Sequence, residues 1–414
     1  MDNIRVGVIG VGRGKSMIKY CQNAQHARLV AVCDFWEDGL NKMKAEMENT
    51  DIAFYLSYDE FLNHPMDVVV LANYANEHAP FAIKAMKKGM HVISEVLPCQ
   101  CLKEAVELIE TVEETGKHYF YLENYCYMPA PAEMKRLYEE NKIGEFRYAE
   151  GEYVHNCEPI WHSITQGNKD HWRNRMYSTF YCTHSIGPIV HITGERPVTV
   201  TGFETPYNDM QYRMGALGGG MGMIILQFSN GGIMKSLDMG LYKNSIWYSI
   251  YGAKGRMESA REDAEMGDVS QIYVNADPSE GAYDEAKLES YRPQREFDDL
   301  AKDYGHGGSD FYAMWHCIEA LRGNPDADVI DVYEALDMFL PGLFAYFSIL
   351  DGNKPQRIPD LRQKEVRDLY RNDTRCTDPK AAGDMLLPCC STDIPQIPDS
   401  IYDAVRAKWL ETQK

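Results

Sequence analysis

Ile4-Arg5-Val6-Gly7-Val8-Ile9 runs straight into Gly10-Val11-Gly12-Arg13-Gly14, and Leu29-Val30-Ala31-Val32-Cys33 stops at Asp34. Strand, glycine turn, helix, strand and acid follow one another in the order that a bound dinucleotide needs. Gly10 permits a tight turn, Gly12 lets the backbone approach a pyrophosphate, and the next helix offers unpaired N–H groups to it. Asp34 stands about 20 residues on, where a carboxylate can accept both ribose hydroxyls of NAD. The third glycine departs from the G-x-G-x-x-G spacing, because Lys15 occupies that place and Gly14 comes one position early. A 2′-phosphate beside Asp34 would meet a like charge. At ~4 Å and an effective dielectric of ~20 that repulsion is about 4 kcal/mol at most. Phe35 and Trp36 follow instead of a relieving arginine, so NAD is expected rather than NADP.

Working outward, strand and helix alternate as far as Glu123. A helix is expected over Asp38–Glu48, a strand over Ile52–Leu56 and a short helix over Tyr58–Asn63. Asp67–Ala72 is a continuous apolar run, as a strand covered on both faces should be. A helix near His78–Lys88 stops at Gly89, a strand follows over His91–Ser94, a helix over Leu102–Thr115 and a last strand over His118–Leu122. This alternation predicts a doubly wound parallel sheet of the Rossmann type over residues 1–123, with its ligand crevice off the carboxyl ends of the strands. Asn73–Glu77, Glu95–Pro98 and Glu123–Tyr127 should then face the cofactor. Gly10, Gly12, Arg13, Gly14, Asp34, Asn73, His78 and Glu95 are the candidate cofactor-binding residues, joined by Trp172 and Arg173 from the second half.

Residues 124–360 read differently. After a helix near Pro131–Asn141, strands dominate: Phe146–His155, Val198–Glu204, Met221–Phe228, Ile233–Leu241 and Trp247–Tyr251. Turns such as Ser229-Asn230-Gly231-Gly232 separate them. An α+β domain with an open, mostly antiparallel sheet is expected, with later helices near Phe311–Arg322 and Asp331–Asp351. Residues 361–414, punctuated by proline, should wrap the surface as a C-terminal extension. Gly215–Gly222 reads as a loop.

The chain has 414 residues and a formal charge of −20, which argues against nucleic acid or anionic membrane partners. No run is expected to reach the ~20 apolar residues of a membrane helix. With the first strand beginning at Ile4, no signal peptide is expected either. Eleven scattered cysteines fit reduced thiols in the cytoplasm. An open sheet needs its exposed face covered, so a homo-oligomer, dimer or tetramer, is expected.

Tyr153 and His155, two apart on a strand, share a face. Tyr181 and His184, three apart where a helix starts, are neighbours. Two tyrosines, two histidines and Glu123 at a strand end could move several protons at neutral pH. The other reading of these residues is a satisfied core cluster at a domain seam. His155/Cys157 and Cys182/His184 lack the spacing of well-formed zinc sites, so no metal is expected.

The chain resembles the Gfo/Idh/MocA oxidoreductases in Gly10-Val11-Gly12, in His78, and in Gly89-Met90-His91-Val92 leading to Glu95. That superfamily's E-K-P element supplies a lysine that helps take a hydroxyl proton; here Glu95-Val96-Leu97-Pro98 stands instead. A narrower resemblance covers nearly the whole chain. Leu122–Tyr127, Glu150–His155, Tyr181-Cys182-Thr183-His184-Ser185-Ile186-Gly187-Pro188 and Gly305–Phe311 resemble glycoside hydrolase family 109, the NAD-dependent α-N-acetylgalactosaminidases. It extends to Asp331–Glu334 and Pro359-Asp360. The resemblance implies a redox-neutral glycosidase: oxidation at C3 of the sugar by NAD, loss of the acidified C2 proton, departure of the aglycone from C1, water addition and re-reduction. It implies Tyr153 as the C2 base, with Tyr181, His184, Glu123 and His155 binding hydroxyls and handling protons. Cys182 replaces the usual proline of the Y-P-T-H element, which could shift Tyr181. The family's hydrolases are largely exported and no signal is expected here, so a glycoside small enough to be imported is expected; the segment from Cys157 to Asp170, expected as a substrate loop, does not match, so N-acetylgalactosamine specificity is not implied. The alternatives are an NAD-dependent sugar or polyol dehydrogenase, or a 3-keto-glycoside-forming enzyme, and thirdly a non-catalytic NAD(H)-binding protein.

Overall fold

In the computed structural model, residues 3–47, 50–262, 269–276 and 287–413 are described. They form two compact units. The first comprises Met1–Met128, Gln294–Leu336 and Leu361–Asp373; the second comprises Pro129–Pro293, Asp337–Asp360 and Thr374–Lys414. The expected divisions at residues 123 and 360 follow the chain in order. Compactness instead follows contacts, and two later segments return to the first unit.

In the first unit the order is β1 (Ile4–Ile9), α1 (Lys15–Asn23), β2 (Ala27–Cys33), α2 (Glu37–Glu46), β3 (Ala53–Tyr55), α3 (Tyr58–Phe61), β4 (Val68–Leu71), α4 (His78–Lys87), β5 (His91–Ser94), α5 (Leu102–Thr115) and β6 (Tyr119–Tyr121). Glu48, the expected end of the second helix, lies outside the described residues. The sheet order is β3-β2-β1-β4-β5-β6 and every pairing is parallel. This is the doubly wound arrangement expected from the sequence. All four residues of β4 are buried, since both faces of the sheet are covered. The order reverses between β1 and β4, the place where such sheets bind ligands. α5 ends at Gly116, whose φ of +62° is the left-handed stop expected of a glycine there.

The returning segments are tied down by charge. Arg371 forks onto Glu110 at 2.6 and 2.8 Å, and Arg367 reaches Glu113 at 2.8 Å, so Leu361–Asp373 is fastened along α5.

The second unit is built on a nine-stranded sheet, β7 (Phe146–Val154), β8 (Pro197–Glu204), β9 (Met221–Phe228), β10 (Ile233–Met239), β11 (Ser245–Gly252), β12 (Gly255–Ser259), β13 (Ile272–Ala276), β14 (Lys287–Tyr291) and β15 (Gln356–Arg357). Its order is β14-β13-β12-β11-β7-β10-β9-β8-β15. Among the described residues of this sheet, only β10 and β7 pair in parallel. β9 alternates buried and accessible residues, as a strand covered on one face does. The helix Thr183–Thr193 lies on the covered face. A side chain at Gly151 would sit 2.0 Å from the Ser185 carbonyl, so the glycine lets this helix settle onto β7. Tyr248 donates to the His184 carbonyl at 2.5 Å and the Ser185 and Ser236 hydroxyls meet at 2.7 Å, which fixes the helix start.

Sequence periodicity missed β12 to β14, which are five residues each. It also missed the helix Asp399–Glu411 within the tail expected to wrap the surface. One expectation needs correcting. Val332–Leu350, 19 residues, is long and apolar enough to cross a membrane by length and composition. Of that apolar stretch 89% is buried, so its hydropathy serves the protein core.

Candidate functional site

The first unit carries the residues that could hold a dinucleotide. Gly10 has φ +101°, and a Cβ there would lie 2.2 Å from the Ala72 carbonyl; no other residue fits. Gly12 is different: a Cβ there would meet nothing within 4 Å. The space over it is open, as close approach by a pyrophosphate requires. Gly14 accounts for the irregular spacing. It donates to Gly10 O at 3.0 Å, and a Cβ on it would lie 2.2 Å from that oxygen and 3.0 Å from Val8. The close helix-to-strand packing that the third glycine of the motif allows is therefore done one residue early.

Asp34 follows the end of β2. Its carboxylate accepts the Val11 N–H at 2.7 Å and the Trp36 N–H at 2.8 Å, one on each oxygen. Each oxygen keeps a lone pair for a further donor. At the end of β4, Asn73 donates to Glu77 at 3.1 Å, while its buried Oδ1 has no hydrogen-bond partner among the described residues. His78 is fully buried with Nδ1 2.9 Å from the Leu97 carbonyl. Burial lowers its imidazole to about 4, so it stands neutral at pH 7. The open glycine turn, the fixed carboxylate and the orphaned Asn73 oxygen fit NAD.

Arg13 and Glu95, both expected at the cofactor, are engaged with each other at 2.6 Å. Arg13 also forks onto Asp310 at 2.7 and 2.8 Å. Asp310, 1% exposed, further accepts from Asn124 at 3.2 Å and lies 3.0 Å from His306 Nδ1. Burial works to raise its carboxyl, but the hydrogen bonds from Arg13 and His306 outweigh it and hold the group well below the usual carboxylate range. The sequence signal for Asp310 was the Gly305–Phe311 block, yet nothing in that block names a partner in the first glycine turn. Glu123, also in this unit, is fully buried and accepts the Tyr125 N–H at 3.3 Å.

The second unit brings four expected residues together. Tyr153 near the end of β7 has its hydroxyl 3.2 Å from His155 Nδ1. Its ring lies 4.5 Å from that of His184 and 6.4 Å from that of Tyr181. Tyr181 and His184 stack at 5.4 Å with only 11° between their planes. Arg173 lies over the rings of Trp172 at 5.0 Å and Tyr181 at 5.2 Å, so this pair, expected at the cofactor, is gathered around Tyr181. Cys182 keeps φ at −54°, a value that proline would impose, so the backbone of the Tyr181 turn bears no mark of the substitution. Its thiol packs instead against Met338 O at 3.5 Å. Asp238, which sequence reasoning passed over, pairs with Tyr153 across β10 and β7 and is fully buried. Burial raises its carboxyl well above the usual range. Cys157 Sγ lies 3.4 Å from His155 Nδ1, and burial raises its thiol. Among the described residues no group of three or more His, Cys, Asp or Glu could hold a metal ion.

A family model for the C-terminal domain of glycosyl hydrolase 109 matches residues 133–367. The chain belongs to that family. Residues 4–122 match the oxidoreductase family with an NAD-binding Rossmann fold, Gfo/Idh/MocA, and form an NAD-binding Rossmann domain. Among relatives, a glycosyl hydrolase family 109 protein of Porphyromonas gingivalis is 25% identical over 402 residues, covering 87% of this chain and 85% of its own. One from Solibacter usitatus is 26% identical, covering 86% and 88%. Solved structures show the same fold: myo-inositol 2-dehydrogenase of Lactobacillus plantarum with TM-score 0.66 at 18% identity, covering 86% of this chain and all of that one. Scyllo-inositol dehydrogenase of Lactobacillus casei, with bound NAD(H) and scyllo-inositol, gives 0.67 at 15%, covering 86% and 99%. This glycosyl hydrolase 109 member is thus an enzyme of the NAD-dependent glycosidase or sugar oxidoreductase kind.

Proposed function

We propose that this chain is an NAD-dependent glycosidase that cleaves a small glycoside by elimination and hydration across C1 and C2 of the sugar. When bound, NAD supplies a reversible oxidation at C3, which acidifies the C2–H and is undone at the end of the cycle. Gly10, Gly12, Gly14, Asp34 and Asn73 would hold it.

The observation that carries this reading is the hydrogen bond between Tyr153 and His155 beside the stacked Tyr181–His184 pair. A phenol titrates near 10 when unperturbed, too high for a resting base. The Tyr153 proton can pass to His155 Nδ1, leaving a phenolate able to take the C2 proton. Tyr181 and His184 offer hydroxyl and imidazole groups to the sugar and to the departing oxygen. Val96 holds no proton where a simple dehydrogenase of this superfamily uses lysine, so the C3 hydroxyl proton released on oxidation would pass to a base such as the His184 imidazole and return from it on re-reduction.

Purified protein turning over an aryl glycoside in heavy water, with no NAD added, should give a product deuterated at C2. Product without that label would refute elimination. Stoichiometric accumulation of NADH would establish the dehydrogenase instead, and cofactor binding without turnover the non-catalytic protein. A homo-oligomer is proposed as well. On the uncovered face of the second sheet Met223 stands between Phe203 and Leu237, and Phe203, Ile225 and Ile233 are 39, 39 and 48% exposed. Light scattering should read a multiple of 47.3 kDa; a monomer would count against it.

A further inference from the structure

Among the described residues of the first 128, four large apolar side chains stay exposed: Phe35 at 53%, Trp36 at 43%, Leu56 at 46% and Tyr74 at 50%. All four stand in the loops that leave the carboxyl ends of β2, β3 and β4. Apolar surface gathered at that end of a doubly wound sheet marks a ligand groove.

Two of these rings are set beside Asp34 with a side left open. Phe35 meets Phe81 edge-on, 6.2 Å away at 85°, and Phe81 stacks on Tyr58 at 4.2 Å. The Tyr58 hydroxyl donates to the Phe81 carbonyl at 2.9 Å, which closes the ladder. The Phe35 ring is thereby fixed, yet half of it faces solvent. Tyr74 follows Asn73 at the exit of β4. Burial, and after it the Asp34 and Glu77 carboxylates, push its phenol up, so the ring lies within electrostatic reach of Asp34. Trp36 is placed differently. A Cβ at Gly39 would lie 2.2 Å from its ring, so the indole is folded back onto α2.

The glycine turn ties these exits together, because β1 lies between β2 and β4. On one side Gly10 packs against the Ala72 carbonyl, two residues before Tyr74. On the other, Val11 donates to Asp34, one residue before Phe35. Asp34 is the carboxylate that would take the adenosine ribose of NAD. Adenine is bonded to C1′ of that ribose, the carbon next to the one bearing the 2′-hydroxyl, so the base comes to rest beside Asp34. We propose that Phe35 and Tyr74 form an aromatic clamp on the adenine, and that the clamp slows departure of the dinucleotide. A purine has two flat faces, and aromatic rings stack on them at little cost in side-chain freedom. The inference does not rest on the glycosidase reading, since its readout is binding alone.

The test uses full-length protein dialysed free of dinucleotide. Calorimetry or ligand-observed NMR reads the binding of NAD, ADP-ribose and nicotinamide mononucleotide, which lacks the adenosine half. Each variant is checked for an unchanged melting temperature without ligand. Losing a base–aromatic stack to alanine weakens binding roughly five- to 150-fold, and rings this exposed belong in the lower part of that range. Phe35→Ala and Tyr74→Ala should each bind NAD and ADP-ribose about tenfold more weakly than wild type and bind nicotinamide mononucleotide unchanged. Phe35→Tyr and Tyr74→Phe keep a ring and should stay within about threefold of wild type. Where NAD co-purifies with the protein, its release, chased with excess ADP-ribose, should be about tenfold faster in the two alanine variants. ADP-ribose affinity within about threefold of wild type in either alanine variant would overturn the clamp. So would an equal loss for nicotinamide mononucleotide, which would place the damage in the glycine turn, or an equal loss in the ring-preserving variants, which would show that stacking is not what holds the base.

Discussion

Asp310→Asn cuts the ion pair that joins the first glycine turn to the helix Ser309–Leu321, and its cost can be worked out from the contacts. The carboxylate accepts two charged N–H groups of Arg13 at 2.7 and 2.8 Å and is shielded from water, its side chain 0% exposed. Breaking a buried pair costs about 3–5 kcal/mol. The lower end applies here, because Arg13 is 30% exposed and keeps Glu95 at 2.6 Å, and asparagine retains one acceptor. About 3 kcal/mol, at roughly 2–4 °C per kcal/mol for a body of this size, lowers the melting temperature by roughly 6–12 °C at pH 7. The pH dependence follows from the sign of the shift. Arg13, His306 and Asn124 surround the carboxylate, and the folded form holds it ionised below its unfolded value near 4. The unfolded chain therefore binds the proton first as pH falls. Wild-type advantage is complete above about pH 5 and falls by about 1.4 kcal/mol for each unit below about 4. Calorimetric scans of both proteins should show the gap roughly halved at pH 3. A gap under 2 °C at pH 7, or one equally wide at pH 7 and pH 3, would refute the reasoning.

Tyr153→Phe should lower turnover roughly 10²–10⁴-fold, the range for a positioned general base, with no change in NAD affinity; activity within a factor of three of wild type would remove Tyr153 from that role. Titration with the two dinucleotides should show NAD binding up to ~10³-fold more tightly than NADP, from the ~4 kcal/mol repulsion at Asp34, and Asp34→Ser should shrink that ratio; equal affinities in the wild type would contradict the placement of Asp34. His78, neutral in the fold with a value of about 4 against 6.5 unfolded, makes the unfolded chain the better proton acceptor between those values. Wild type should thus lose about 3 kcal/mol on acidification from pH 6.5 to 4, and His78→Gln should lose correspondingly less over the same window, read by denaturant titration.

Much of the first unit was legible because its signals are local. β1, β5 and α5 begin and end where hydrophobic runs meet glycine or polar residues, Gly10 sits in a tight turn that admits no Cβ, and the space over Gly12 is open. The third glycine misled only in count: packing against Gly10 O needs a residue without a Cβ near the helix start, and Gly14 supplies it. The tyrosine and histidine pairs were legible too, since a two-residue spacing on a strand and a three-residue spacing on a helix fix a shared side. What was hidden is long-range. Arg13 carries no mark of a partner 297 residues away. Asp238 looks like any strand acid until the sheet buries it. Phe35 and Tyr74 stand well apart in the chain, and only the order of the strands brings them to the same turn.

The return of residues 294–336 and 361–373 to the first unit bears on how the protein is made. During synthesis the glycine turn leaves the ribosome early, yet Asp310 follows Arg13 by 297 residues and Arg371 follows Glu110 by 261. A nascent chain stalled at residue 128 would carry the six strands of the parallel sheet with Arg13 left to Glu95 alone and without the arginines that clamp α5. A fragment ending there would leave Glu110 and Glu113 on α5 without the arginines that fasten Leu361–Asp373 along it.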